Sequence, residues 1–168
     1  MDVWEDFQCP GCQSYSQNYE PLIIQNYVET GKVFYTFHHW AFIDSQSATK
    51  ESQQAANASM CAGEQGRFWD YHDLVFANWN GENQGAYNDK RLVAFAETLG
   101  LDMADFKSCF NANPYKDQID QDYQAGSDWG VTSTPTIFVN GQKVVNSQNE
   151  RSIATYEDIA AAIETALP

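Results

Sequence analysis

A chain of 168 residues is long enough for one domain with a full core. Its formal net charge of −14, with only nine Lys and Arg, excludes a nucleic-acid partner or an anionic membrane surface, since both need a basic face. Hydrophobic residues at 43% and aromatics at 14% exclude a disordered tail. The acidity itself reads as solubility, and no apolar run approaches the roughly 18 residues of a membrane span.

The opening Met1-Asp2-Val3-Trp4 lacks the basic and apolar regions of a signal peptide. Because the chain reaches a strand almost at once, Met1 reads as an artificial start. A native export signal or anchor, and part of the first strand, are expected upstream.

Asp2 to Glu5 reads as a short strand, and Asp6-Phe7-Gln8 leads into Cys9-Pro10-Gly11-Cys12. Two thiols at this spacing can close into a small disulfide and reopen, which is reversible two-electron chemistry. The residues after them read as helix, so Cys9 falls at a helix N-terminus, where unpaired N–H groups favour a thiolate. Pro10 suits the first helical turn because its missing N–H has no intrahelical partner there. Half of a tetrahedral zinc site has the same spacing, but Cys61, Cys109, His38, His39 and His72 supply no second close pair. A purely structural disulfide is the third reading; it closes almost no loop and would constrain the unfolded chain little.

Tyr15, Tyr19, Leu22, Ile23 and Tyr27 form an amphipathic stripe, kinked at Pro21 and stopped at Gly31. The aromatic and β-branched run Val33 to Phe42 predicts a central strand. From Ser47 to about Gly130 the pattern is helical. Ala55, Ala56, Ser59, Ala62 and Gly63 give a small-residue face, and Phe68, His72, Val75, Phe76 and Trp79 a bulky one. Leu92, Phe95, Ala96 and Leu99 precede a stop at Gly100; further helices are expected from Asp102 and over Tyr115 to Trp129. His38 and His39 alternate across a strand, which makes them a poor metal pair, and His72 lies on an apolar stripe, so all three read as structural. Thr136–Val139 and Gln142–Val145 flank Asn140-Gly141, a hairpin signal. Thr155-Tyr156-Glu157-Asp158 reads as a capping box opening a last helix with Ile159, Ile163, Ala166 and Leu167 on its inner face.

The stretches Asp6-Phe7-Gln8-Cys9-Pro10-Gly11-Cys12, Gly66-Arg67-Phe68-Trp69-Asp70-Tyr71-His72-Asp73 and Gly130-Val131-Thr132-Ser133-Thr134-Pro135-Thr136 resemble the DsbA-like branch of the thioredoxin superfamily. The resemblance implies an α/β thioredoxin fold at residues 1–46 and 131–168. A helical domain, 47–130, is inserted between its βαβ and ββα halves.

The same resemblance implies Cys9 and Cys12 as the redox pair, supported by Pro10 and Gly11, with Pro135 a cis-proline and the backbone of Thr134 pairing with substrate. It suggests a second, non-catalytic disulfide between Cys61 and Cys109; the alternative is two buried free thiols. Relatives often carry a buried acid six positions before the first cysteine, where this chain has Val3. Glu5 is then the substitute for proton transfer to Cys12, since strand alternation turns at most one of Glu5 and Asp6 inward.

The implied activity is thiol–disulfide exchange that donates disulfides to exported proteins. It needs no organic cofactor and no metal, and the resemblance adds a membrane quinone-linked reoxidising partner, a monomer, and an extracytoplasmic location in the periplasm or cell envelope. The rivals are a reductase or isomerase of the same fold, and a non-enzymatic metal- or peptide-binding module.

Overall fold

In a computed structural model that describes residues 1–46 and 48–168, four strands form one mixed sheet in the order β2-β1-β3-β4. The strands are β1 (Asp2–Glu5), β2 (Thr36–His39), β3 (Thr136–Val139) and β4 (Gln142–Lys143). β1 runs parallel to β2, with Glu5 opposite His39, and antiparallel to β3, with Val3 opposite Ile137. The β3–β4 hairpin turns at Asn140 and Gly141, both at positive φ (47° and 76°), as a two-residue turn of this twist requires.

Two helical stretches pack one face of the sheet: α1 (Pro10–Asn18) with α2 (Glu20–Ile23), and α8 (Tyr156–Ala166). Between them Val3, Tyr15, Ile23, Ile137, Ile159 and Ile163 make a dry core. The capping box of α8 is formed: the Thr155 hydroxyl accepts from Asp158 N–H, and the Asp158 carboxylate accepts from Thr155 N–H. Its inner face is shorter than expected, since Ala166 is exposed.

The chain breaks between α1 and α2 at Tyr19, just ahead of Pro21, then continues into a π-helical turn over Ile24–Val28. Proline removes one helical bond and crowds the carbonyl four residues back, so the helix is re-aimed rather than ended. Leu22 falls outside the expected stripe and is exposed.

Among the described residues, five α-helices lie between β2 and β3: α3 (Glu51–Glu64), α4 (Phe68–Ala77), α5 (Asp89–Thr98), α6 (Met103–Ala112) and α7 (Lys116–Asp128). Their core packs the small face of α3 against Tyr71, Val75, Phe76, Leu92, Phe95 and Phe106. A disulfide joins Cys61 on α3 to Cys109 on α6. The stretch between α4 and α5 is not helical; Glu51 pins it by accepting from the N–H groups of Gly85 and Tyr87. Ser47, the expected start of the helical block, lies outside the described residues.

The aromatic run after Val33 is not a central strand. Only Thr36–His39 pairs, and it forms an edge of the sheet. Its hydrophobicity is spent on the helices instead: Phe37 packs edge-on against Phe68, Trp69 and His72 of α4. The free edge is closed by α7, whose Asp122 carboxylate accepts from the His39 N–H. α7 approaches closely because residue 126 is glycine; a Cβ there would lie 2.7 Å from Trp4 Cδ1. The truncation of β4 at Lys143, two residues short of the expected Val145, leaves the hairpin short.

Candidate active site

Cys9 is the N-cap of α1, with Pro10 in the first turn. Its sulfur lies 3.3 Å from the Thr134 carbonyl oxygen, and both Cys9 and Cys12 are free and buried in the core between sheet and helical block. The Cys12 thiol donating to its sulfur, helped by the N–H groups of Cys12 and Gly11, lowers Cys9 to about 6 against the cost of its burial. Cys12, fully enclosed, is pushed well above the ordinary thiol range by burial, then by Cys9 and Glu5. One sulfur of the pair is therefore a thiolate at neutral pH and the other a thiol.

The Thr134–Pro135 peptide is cis and faces the motif. Gly11 makes that approach possible. A Cβ on residue 11 would lie 3.1 Å from Pro135 Cδ and 3.2 Å from the Thr134 carbonyl oxygen.

The end of β1 carries two adjacent acids with opposite fates. Asp6 is buried and fully engaged, accepting from Gln8 N–H (2.9 Å), the Ser52 hydroxyl (2.6 Å) and Ile43 N–H (3.0 Å). Burial still raises its carboxyl to about 7. Gln8 extends this network, its side chain donating to Asp44 and Ser52 and its carbonyl accepting from the Trp79 indole. The loop that presents Cys9 is thereby tied to the helical block.

Glu5, on the other side, is 1% exposed, and neither carboxylate oxygen has a hydrogen-bond partner of normal geometry. Burial raises its carboxyl well above the usual range, with Glu20 and Cys9 adding to the effect and the Cys12 thiol and Tyr35 opposing it. The expectation that at most one of Glu5 and Asp6 faces inward is corrected: both are buried. Alternation does send them to opposite sides, but the helical block covers the side that would otherwise be solvent. Val3 is an apolar core residue, so the place of the relatives' acid is dry.

His38 stacks on Trp4 at 4.3 Å between ring centroids and bonds Asp2, a structural position. His39 is buried among aromatic rings, and burial lowers it to about 4. His72, from the apolar stripe of α4, reaches the same interior as Glu5. Its Nε2 lies 3.8 Å from Glu20 Oε2. Nothing in the sequence pattern marks Glu20, which opens α2 and is 4% exposed.

A sheet-to-helix turn carrying a thiolate and a buried thiol, faced by a cis-proline loop, defines a protein built for sulfur chemistry on a thioredoxin scaffold. The chain belongs to the thioredoxin family, whose model matches residues 1–165. Within that family its likeness is to DsbA-like thiol–disulfide oxidoreductases. Disulfide bond formation protein D of Bacillus subtilis is 25% identical over 165 residues, covering 96% of this chain and 69% of that protein. The oxidised BdbD structure from Bacillus subtilis shares the fold with a TM-score of 0.81 at 23% identity, over 98% of this chain and 84% of that one. A similar stretch occurs in a protein named Na(+)/H(+) antiporter NhaA 3 of Salinispora tropica, 33% identical over 140 residues, where it covers 83% of this chain but 20% of the antiporter. The chain thus spans about a fifth of that relative. Among the described residues no helix is long and apolar enough to cross a membrane.

Proposed function

We propose that the chain is a protein thiol–disulfide oxidoreductase that donates disulfides to exported proteins through Cys9 and Cys12. The observation that carries this reading is the unequal placing of the two sulfurs, Cys9 at the start of α1 against the Thr134–Pro135 loop and Cys12 wholly enclosed, which lowers the first to about 6 and raises the second. In the oxidised pair, a substrate thiolate attacks Cys9 Sγ and the Cys9–Cys12 bond breaks. A mixed disulfide forms, and Cys12 leaves with the electron pair and takes up a proton. A second substrate thiolate then attacks the substrate sulfur of that mixed disulfide, making the substrate disulfide and releasing Cys9. Cys9 is a good leaving group because its thiolate is stabilised. That stabilisation favours the reduced pair, which makes the oxidised one a strong oxidant.

Glu5 is the carboxyl beside Cys12 and the group we assign to its proton. Pro10 and Gly11 shape the motif, while Thr134 and Pro135 present backbone to an extended substrate strand, a mode with little sequence preference. Residues 47–130 are read as a helical domain inserted in the thioredoxin domain of 1–46 and 131–168. We assign an extracytoplasmic location, which the Cys61–Cys109 bond favours since such bonds persist in oxidising compartments. A membrane quinone-linked partner would restore the disulfide, the chain acting as a monomer without organic cofactor. Titration against glutathione tests the direction. A potential nearer about −120 mV supports donation, and one near about −270 mV replaces it with reduction.

A further inference from the structure

Glu5, Glu20 and His72 come from β1, α2 and α4, yet one ligand atom from each lies within 4.8 Å of the others. All three are at least nine-tenths buried. Both oxygens of Glu5, Oε1 of Glu20 and Nε2 of His72 have no hydrogen-bond partner. On the other side of the imidazole, Nδ1 is 2.9 Å from the Asp73 carboxylate. The Asp73 carboxylate accepts here, so Nδ1 carries a hydrogen and Nε2 is the ring nitrogen turned toward the glutamates. Two carboxyl groups and a ring nitrogen thus converge in a dry interior with four polar atoms unpartnered, an arrangement that is costly unless a proton or a cation is shared.

We propose that Glu5, Glu20 and His72 hold one divalent first-row transition cation of the zinc type, a site separate from the cysteine pair. Two carboxylates and one imidazole are the donor set such ions take, leaving one position open. The Asp73–His72 contact is the outer support that metal-bound histidines have, fixing the tautomer and the ring. Contraction by about 1 Å would bring the donors to the roughly 2.0–2.2 Å radius of such a site. Entry is from a groove of about 780 Å³ lined by Glu20, Tyr35, Trp69 and Asp73. Its acidic rim carries Glu29 as well, and no Lys or Arg lines it. Bound there, the ion ties β1 and α2 to α4 of the helical block. A carboxylate holding the ion by one oxygen leaves the other toward Cys12.

The test uses protein oxidised at Cys9–Cys12, so that no thiol can ligate, stripped with a chelator and titrated with Zn²⁺ and with Co²⁺. The expected result is one ion per chain, tetrahedral Co²⁺ absorption bands, and a thermal midpoint that rises with Zn²⁺. Glu20→Gln should weaken binding at least 100-fold. Asp73→Asn, at a side chain 74% exposed and therefore no threat to folding, should weaken it about 10- to 100-fold. No stoichiometric uptake by the oxidised chain would overturn the proposal, as would uptake unchanged in both variants, which would place the ion on surface carboxylates. Either failure leaves the glutathione potential of Cys9–Cys12 untouched, so the redox reading stands or falls apart from this one.

Discussion

Cys9 and Cys12 lie within one helical turn and are free, whereas Cys61 and Cys109, 48 residues apart, are bonded across α3 and α6. Both pairs are buried, so exposure does not separate them. What does is the surrounding donors. Cys9 has a thiol and backbone N–H groups at a helix start, which favour its thiolate and ease reopening of the bond. The sulfurs of the Cys61–Cys109 bond come from the interiors of α3 and α6, and the polar atoms beside them are acceptors, Asn57 Oδ1 at 4.0 Å and Glu64 Oε1 at 3.5 Å. The same chemical group is reactive in one place and a staple in the other because of what a few neighbouring atoms donate.

The sharpest way to break this contrast is to put serine at Cys9 and, separately, at both distal cysteines. Cys9→Ser should drop turnover in a thiol-oxidation assay by on the order of 10³-fold or more, since no other group can form the mixed disulfide. Cys61→Ser paired with Cys109→Ser should leave turnover at the folded protein's level. Equal losses in both would erase the distinction.

The distal pair should instead govern stability. A bond closing 48 residues restricts the unfolded chain by about 4 kcal/mol in the chain-entropy model. Urea unfolding of Cys61→Ala/Cys109→Ala, compared with the parent while Cys9–Cys12 is held reduced in both, should show a loss of this order. A loss under about 1 kcal/mol would mean the helical block does not depend on its staple.

Much of this was readable beforehand, for physical reasons tied to local sequence. Cys9 to Cys12, the Asn140-Gly141 hairpin and the Thr155 box each specify geometry within a few residues, and each was legible. What escaped depends on distant partners. The edge position of β2 follows from Asp122 and α7, which the β-branched and aromatic run cannot reveal. Glu20 carries a polar side chain at a helix start, and only the packing of α4 over it turns it into a buried acid beside Glu5 and His72. Both Glu5 and Asp6 are inward for the same reason: alternation assigns a strand's two faces to core and solvent, and the inserted helices cover the second.

A smaller effect is expected from pH. Because Cys9 titrates near about 6 when folded, below its unfolded value of about 8.5, its thiolate stabilises the reduced chain fully above about 8.5. That contribution is lost as pH falls through about 6. The rate of Cys9 alkylation should accordingly fall about tenfold from pH 7 to pH 5, following the thiolate fraction. A midpoint near 8.5 would show that the helix start and Cys12 do not act on it.

The smallest change concerns Gly11, and its sign is set by two opposed terms. Alanine within the first turn of a helix gains up to about 1 kcal/mol over glycine in backbone propensity. Its Cβ, however, would stand 3.1 Å from Pro135 Cδ and 3.2 Å from the Thr134 carbonyl, so the cis-proline loop must give by a few tenths of an ångström. Gly11→Ala should therefore leave urea stability within about 1 kcal/mol of the parent, the two terms nearly cancelling. Mixed-disulfide formation should nonetheless slow several-fold, because the loop that gives way is the one facing Cys9. The Cys61–Cys109 bond, in the helical block, should resist reductant as before. A variant stabilised without loss of rate would show that the loop moves freely, and that Thr134 does not have to approach Cys9 this closely for exchange to occur.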